Sequence, residues 1–116
     1  MNTYSLKTGV NQRLFYKFEP ARDLSTISTV KASMRVKNGA TVFANRSAVV
    51  ANGTYLIDGV STPLTPASGV VFVDVTATDT AIAGLYEIEF PVVYSDGKDD
   101  VIPSTGFALA QIGARI

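Results

Sequence analysis

Two groups of carboxylates are the residues whose types and spacing suggest chemistry. Asp96, Asp99 and Asp100 lie within the run SDGKDD, where hard oxygen ligands for Ca²⁺ could gather. The run lacks the alternate-residue spacing and distal glutamate of an EF-hand loop, so a solvated hairpin tip is the favoured reading. Glu87 and Glu89 stand two apart in an extended stretch and therefore share a face, as the carboxylate pair of a glycosidase could. No aromatic platform for a sugar accompanies them, which favours the wet side of a sheet. Lys31, Arg35 and Lys37 form a one-sided basic stripe. It could meet an acidic partner or pair across a sheet with Glu87 and Glu89, and the intramolecular pairing is favoured. The chain has no Cys and no His. That removes thiol nucleophiles, Ser-His and Cys-His arrangements and the usual zinc sites. No catalytic residue, metal site or cofactor is therefore expected, and an enzyme ranks below two other readings.

Composition limits the partners. Ten cations balance ten anions, which argues against a protein that binds nucleic acid by neutralising phosphates. The charged fraction is 17%, well under the roughly 25% usual for soluble domains. Weak self-repulsion and a surface that is easily dehydrated favour association. No apolar run is long enough to span a membrane, and MNTYSLKTGVNQ lacks the pattern of an export signal, so no membrane contact is expected. The sequons at Asn45 and Asn52 would matter only in a eukaryotic secretory route. The absence of cysteine leaves the redox compartment open.

The elements that would position these residues have period two. Val30, Ala32, Met34 and Val36 alternate with Lys31, Ser33, Arg35 and Lys37, a strand with one wet face. Asn38-Gly39 suits a type I′ turn and predicts a hairpin from 30 to about 50. Leu14, Tyr16 and Phe18 make an earlier strand that Pro20 would end. A short strand is expected around Tyr55 to Ile57, followed by loop through VSTPLTPASG. Val70 to Val75 is apolar on nearly both faces, through Val71, Val73 and Val75 on one and Val70 and Phe72 on the other, so it is buried twice or half of it is an interface. Helix is limited to single turns near DLSTIST and at DTAIAG, where Asp79 could cap the first amides and Gly84 could take a left-handed exit. The 116 residues are read as one all-β domain of about seven strands, a sandwich of two antiparallel sheets.

Gly84, Tyr86 and Ile88 refine that expectation. In immunoglobulin-type sandwiches a tyrosine at the start of strand F bonds its hydroxyl to backbone a few residues upstream. Gly84-Leu85-Tyr86-Glu87-Ile88 reproduces the order of that tyrosine corner, with Ile88 where an antibody domain has a cysteine. Asp79 is not at the antibody spacing, so the likeness is to the sandwich and its corner. The runs LKTGVNQRLFYKF, ARDLSTISTVKASMRVKNG and DTAIAGLYEIEFPVVYSDGKDDVIPSTGFALAQI occur in an order that resembles a family. It is that of the immunoglobulin-like N-terminal domain of the phage baseplate upper protein and related small domains of tailed-phage virions. The likeness covers nearly the whole chain and is specific in its last third. It departs at Val10, where members usually carry Asp, and at Ile102, where they carry an aromatic.

The resemblance implies a structural virion protein that docks on other virion proteins in many symmetric copies, without catalysis or cofactor. Its station would be the baseplate or tail, the neck or the head surface. The alternative is a stand-alone binding module for host-surface or carbohydrate attachment. That reading is disfavoured because there is no Trp, and most Tyr and Phe fall at alternating core positions. A candidate subunit contact is the nearly uncharged end of the chain, with Phe107, Leu109, Ile112 and Ile116. It reads equally as a core strand packed closely through small residues or as an edge open to strand addition.

Overall fold

The period-two pattern becomes eleven strands in a computed structural model that describes residues 3–18, 23–57, 59–103 and 107–113, with side chains from residue 6 onward. They are β1 (Thr3–Lys7), β2 (Gln12–Lys17), β3 (Ile27–Val36), β4 (Thr41–Ser47), β5 (Val49–Val50) and β6 (Gly53–Ile57). The rest are β7 (Val60–Leu64), β8 (Val70–Val75), β9 (Gly84–Tyr94), β10 (Asp99–Ile102) and β11 (Ala108–Gly113). A 3-10 turn at Pro66–Ser68 is the one helical element among the described residues. The large sheet runs β1-β11-β9-β3-β4, with β10 beside the second half of β9. A three-stranded sheet runs β2-β8-β5, and β6 pairs with β7 as a separate hairpin.

The inward residues of the large and three-stranded sheets form one cluster, which gives the chain its β-sandwich-like character. Leu14 and Tyr16 of β2 and Val71, Val73 and Val75 of β8 face Val30, Ala32 and Met34 of β3 and Ile88, Phe90 and Val92 of β9. At its centre Tyr16 and Phe18 lie 5.0 and 5.7 Å from Phe90 between ring centroids, the tilted contact that aromatic quadrupoles favour. Small Ala108 and Ala110 of β11 let that strand close on the same cluster.

The other face of β8 is covered too. Val70 and Phe72 pack with Ala51 beneath Phe15, Tyr55 and Leu64, so the β6–β7 hairpin lies over the outside of the small sheet. Phe15, Tyr55 and Phe72 form an aromatic triad with centroids 5.4 to 5.8 Å apart. The doubly apolar strand is therefore buried twice, by the chain itself.

Several expectations need correcting. The segment read as loop after Ile57 contains β7; as an edge strand it tolerates Pro63, which lacks a ladder donor. The stretch VIPSTGFALAQIGARI, whose pattern reads as a single last strand with Pro103 at an edge, a bulge or a bend, instead divides at Pro103 into β10 and β11, which pair with different halves of β9. The two sheets are not purely antiparallel, because β1 lies parallel to β11. The chain can make that pairing because it crosses to the other sheet and back between them. The hairpin of β3 and β4 is present, but only Asn38 has positive φ (57°), so its turn is not type I′. A Cβ on Gly39 would lie 3.2 Å from that of Val36, a tight contact that a larger residue there would have to relieve.

Neither expected helical turn becomes a helix, although near the second the Thr80 amide closes a single turn on the Thr76 carbonyl at 3.3 Å. Asp23 accepts the Ser25 amide at 2.9 Å in a turn that leads into β3, and this hydrogen bond, with that of the Ser25 side chain, holds its carboxyl below the ordinary value. Asp79 receives the upstream Thr76 amide at 2.8 Å rather than capping amides ahead of it. Pro20 lies outside the described residues.

Candidate functional site

The register of the large sheet assembles the predicted polar residues on its outer face. Arg35 of β3 lies opposite Glu87 of β9, and Glu87 lies opposite Leu109 of β11. Arg35 Nε donates to Glu87 Oε1 at 3.0 Å, and the Asn38 amide donates to the same oxygen at 3.3 Å. The guanidinium also covers the Phe107 ring, with Cζ 4.4 Å from the centroid. Glu87 thus acts as a strut between two strands. Glu89 faces Ser33, one row along. Among the described residues, Arg35 is the one member of the basic stripe with an ion pair; Lys31 lies opposite Ser47. A shallow depression of about 260 Å³ lies on this face, lined by Ser33, Phe43, Glu89 and Phe107 among others.

The aspartates of the β9–β10 turn serve local structure. Asp96 Oδ1 accepts the Lys98 amide at 3.0 Å, and Asp100 Oδ2 accepts the Tyr94 hydroxyl at 3.1 Å. Among the described residues no three Asp, Glu, His or Cys groups converge where they could hold a metal ion.

Before β9, the chain turns through residues 76 to 83. Tyr86 is buried and its hydroxyl donates to the Ile82 carbonyl at 2.7 Å. Gly84 enters β9 at φ +153°, and Ile88 is fully buried between Met34 and Ala108. Thr80, also fully buried, is satisfied because its carbonyl and hydroxyl accept the Gly9 amide at 3.0 and 3.2 Å. The turn is clamped to β4 by a two-pronged ion pair that sequence reasoning missed. Arg46 donates through Nη1 to Asp79 Oδ2 and through Nη2 to Oδ1 at 3.2 Å. Burial alone would raise the Asp79 carboxyl. The hydrogen bonds from Arg46 and Thr76, with the charge of Arg46, outweigh it and hold the carboxyl below the ordinary 3.8. With the partners 33 positions apart in the chain, no local pattern could have shown the pair.

At the C-terminal end the structure separates the candidate contact residues. β11 is paired on both sides, with β1 and β9, so it has no free ladder for strand addition. Ile112 is buried in the core and has no surface for a partner, which corrects its assignment. Phe107 and Leu109 are half-buried, with Leu109 on the outer face beside Glu87. Ile116 lies outside the described residues.

A more exposed apolar surface stands elsewhere. The outer side of the β6–β7 hairpin presents Leu56 at 74% exposure, and Val60 near its tip is 63% exposed. Between positions 53 and 64 the sequence carries a single charge, Asp58. A signal for this hairpin was present: Asp58-Gly59 between two apolar runs is a two-residue turn signature. The ladder ends at Ile57 and Val60, and Gly59 has φ +77°. Compared with known proteins, the chain matches no family model and no curated sequence.

Proposed function

We propose that this chain is an immunoglobulin-like sandwich that serves as a structural component of a tailed-phage virion, docking on other virion proteins in multiple copies. The observation that carries the docking role is the β6–β7 hairpin on the outside of the small sheet, which has a single charge and leaves Leu56 and Val60 exposed. Large exposed apolar groups on a surface element favour a protein partner. The virion assignment rests on the sequence resemblance of the runs around Tyr86 and Phe107.

The strand order supports the immunoglobulin-like reading. β11-β9-β3-β4 over β2-β8-β5 has the order of strands G-F-C-C′ over B-E-D, with β1 beside the last strand. The bond from Tyr86 to Ile82 has the form of a tyrosine corner at the E-to-F crossing.

A carbohydrate-attachment module needs open aromatic faces for sugar rings. Three phenylalanines instead carry an arginine: Arg13 on Phe72, Arg35 on Phe107 and Arg46 on Phe43, at 4.0 to 4.4 Å. That favours the structural reading.

The test is quantitative mass spectrometry of purified phage particles that carry the gene, with location of the chain in a map of the intact particle. A fixed multiple of copies, in contact with neighbouring particle proteins, is expected. Absence from washed particles would overturn the proposal.

A further inference from the structure

The basic stripe of β3 and the carboxylates beside it lie on a sheet face that the fold leaves open. The small sheet packs on the inner face of the large one and the β6–β7 hairpin on the outside of the small one, so among the described residues no element covers the outer face of the large sheet. Lys31, Arg35 and Lys37 run along β3 and just past its end. Beside them Glu87 and Glu89 run along β9, and Asp99 begins β10 opposite Val93. Of these six, only Arg35 and Glu87 form an ion pair among the described residues. Lys31, Lys37 and Asp99 are exposed, and Glu89 is half-buried opposite Ser33. Around the charges the face is apolar, with half-buried Leu85, Pro91, Val93, Phe107 and Leu109, and with Val101 39% exposed. A second shallow depression, of about 400 Å³, gathers Lys31, Val93, Asp99 and Val101 one step along the strands from the one at Glu89.

The cover for this face must bring acid over β3 and base over β9 and β10, with apolar side chains among them, because a charge covered without a counterion loses its hydration for nothing. The same face of a second copy has that pattern. Turned about an axis that runs along the strands between β3 and β9, it lays its basic strand over the acidic one and its acidic strand over the basic one. A turn about the other in-plane axis would set β3 on β3 and like charges together. The area is sufficient. Five strands about 4.8 Å apart and a central strand of eleven residues at about 3.3 Å each, with β10 flanking its second half, make a plane of roughly 700 Å². A standard interface takes about 800 Å² of accessible surface from each partner. Zero net charge removes long-range repulsion between copies.

We infer that two copies of this chain pack through the outer faces of their large sheets, with Lys31 of each reaching Glu89 of the other. The contact is isologous and closes at two chains. The sheets lie aligned, as in a sandwich, with the Arg35–Glu87 pairs of the two copies side by side. It goes beyond the docking reading and leaves that reading's element free, since the β6–β7 hairpin of each copy lies on the opposite side of its sandwich.

Sedimentation velocity of the full chain over a concentration series tests it, with Lys31→Glu, Glu89→Lys and the double exchange that carries both. Neither side chain has an ion pair to lose among the described residues, and circular dichroism and melting verify the fold of each variant. The wild-type chain is expected to form a dimer with rising concentration and nothing larger. Each single reversal sets like charges against one another and should weaken the dimer roughly tenfold or more. The double exchange is the decisive arm: it restores opposite charges across the contact and keeps the wild type's net charge of zero, so its dimer should return to near wild-type strength. A wild-type chain that stays monomeric up to about millimolar concentration, or that grows past two chains, would overturn the contact. So would single reversals that dimerise undiminished, or a folded double exchange that stays as weak as they are. A monomeric chain that still joins purified particles would overturn this contact and leave the docking reading standing, and a dimer absent from particles would do the reverse.

Discussion

The two apolar clusters on either side of β8 are built from the same strand and differ in how they are closed. On the inner side Val71, Val73 and Val75 meet a whole sheet, and the cluster they join is sealed. On the outer side Val70 and Phe72 meet only a two-stranded hairpin, whose Tyr55 and Leu64 remain half-buried and whose far side carries exposed Leu56. A two-stranded hairpin is at best marginally stable by itself, so β6 and β7 depend on the aromatic triad for their position. The inner cluster keeps the fold, and the outer one holds out an element with surface to spare.

The largest effect that separates the two is expected at Phe90, fully buried against Tyr16 and Phe18. Phe90→Ala should destabilise the whole domain by about 3 to 5 kcal/mol, measured by denaturant unfolding. A loss under about 1 kcal/mol would mean that the inner cluster is not sealed.

Next comes the clamp that closes the edge between the sheets. Asp79→Asn should cost about 2 kcal/mol at neutral pH, since it removes a charged partner from Arg46. The folded-state carboxyl lies below 3.8, so its contribution is complete above the unfolded value and is lost as pH falls through the lower folded one. The gap between wild type and variant should therefore narrow under acid and nowhere else. A gap that is constant from pH 7 to about pH 2 would break this assignment.

Tyr55→Ala should cost about 1 to 2 kcal/mol, and the loss should be local. Amide exchange in residues 53 to 64 should quicken while β9 and β3 keep their protection. Equal quickening in the inner strands would show that the two clusters form one cooperative unit.

The smallest effect is expected at Tyr86→Phe, which leaves the ring and removes only the 2.7 Å bond to Ile82. About 1 kcal/mol is expected from unfolding curves. A null result would assign this position to packing alone.

Much of the fold was legible because alternation is local. Val30 to Val36, Ile88 to Val92 and Val70 to Val75 all announced strands, and β3 and β9 became neighbours with Arg35 opposite Glu87. The candidate site was less legible. Alternation shows that a strand has two faces without showing what lies against each. The doubly apolar β8 was therefore read correctly as a strand while its second cover stayed open. Pro63 hid β7, although Asp58-Gly59 was the stronger signal.

The sequence by itself determined the chemistry the chain lacks, through the absence of Cys and His, and the all-β class, through period two and its turn residues. Only the tertiary structure decided that β11 is enclosed between β1 and β9, that Arg46 closes on Asp79, and that the β6–β7 hairpin presents Leu56 and Val60 to solvent. These outcomes depend on pairings between residues far apart in the chain. Which ladder a strand joins is set by the competition among all strands for the same core, and no local window contains that competition.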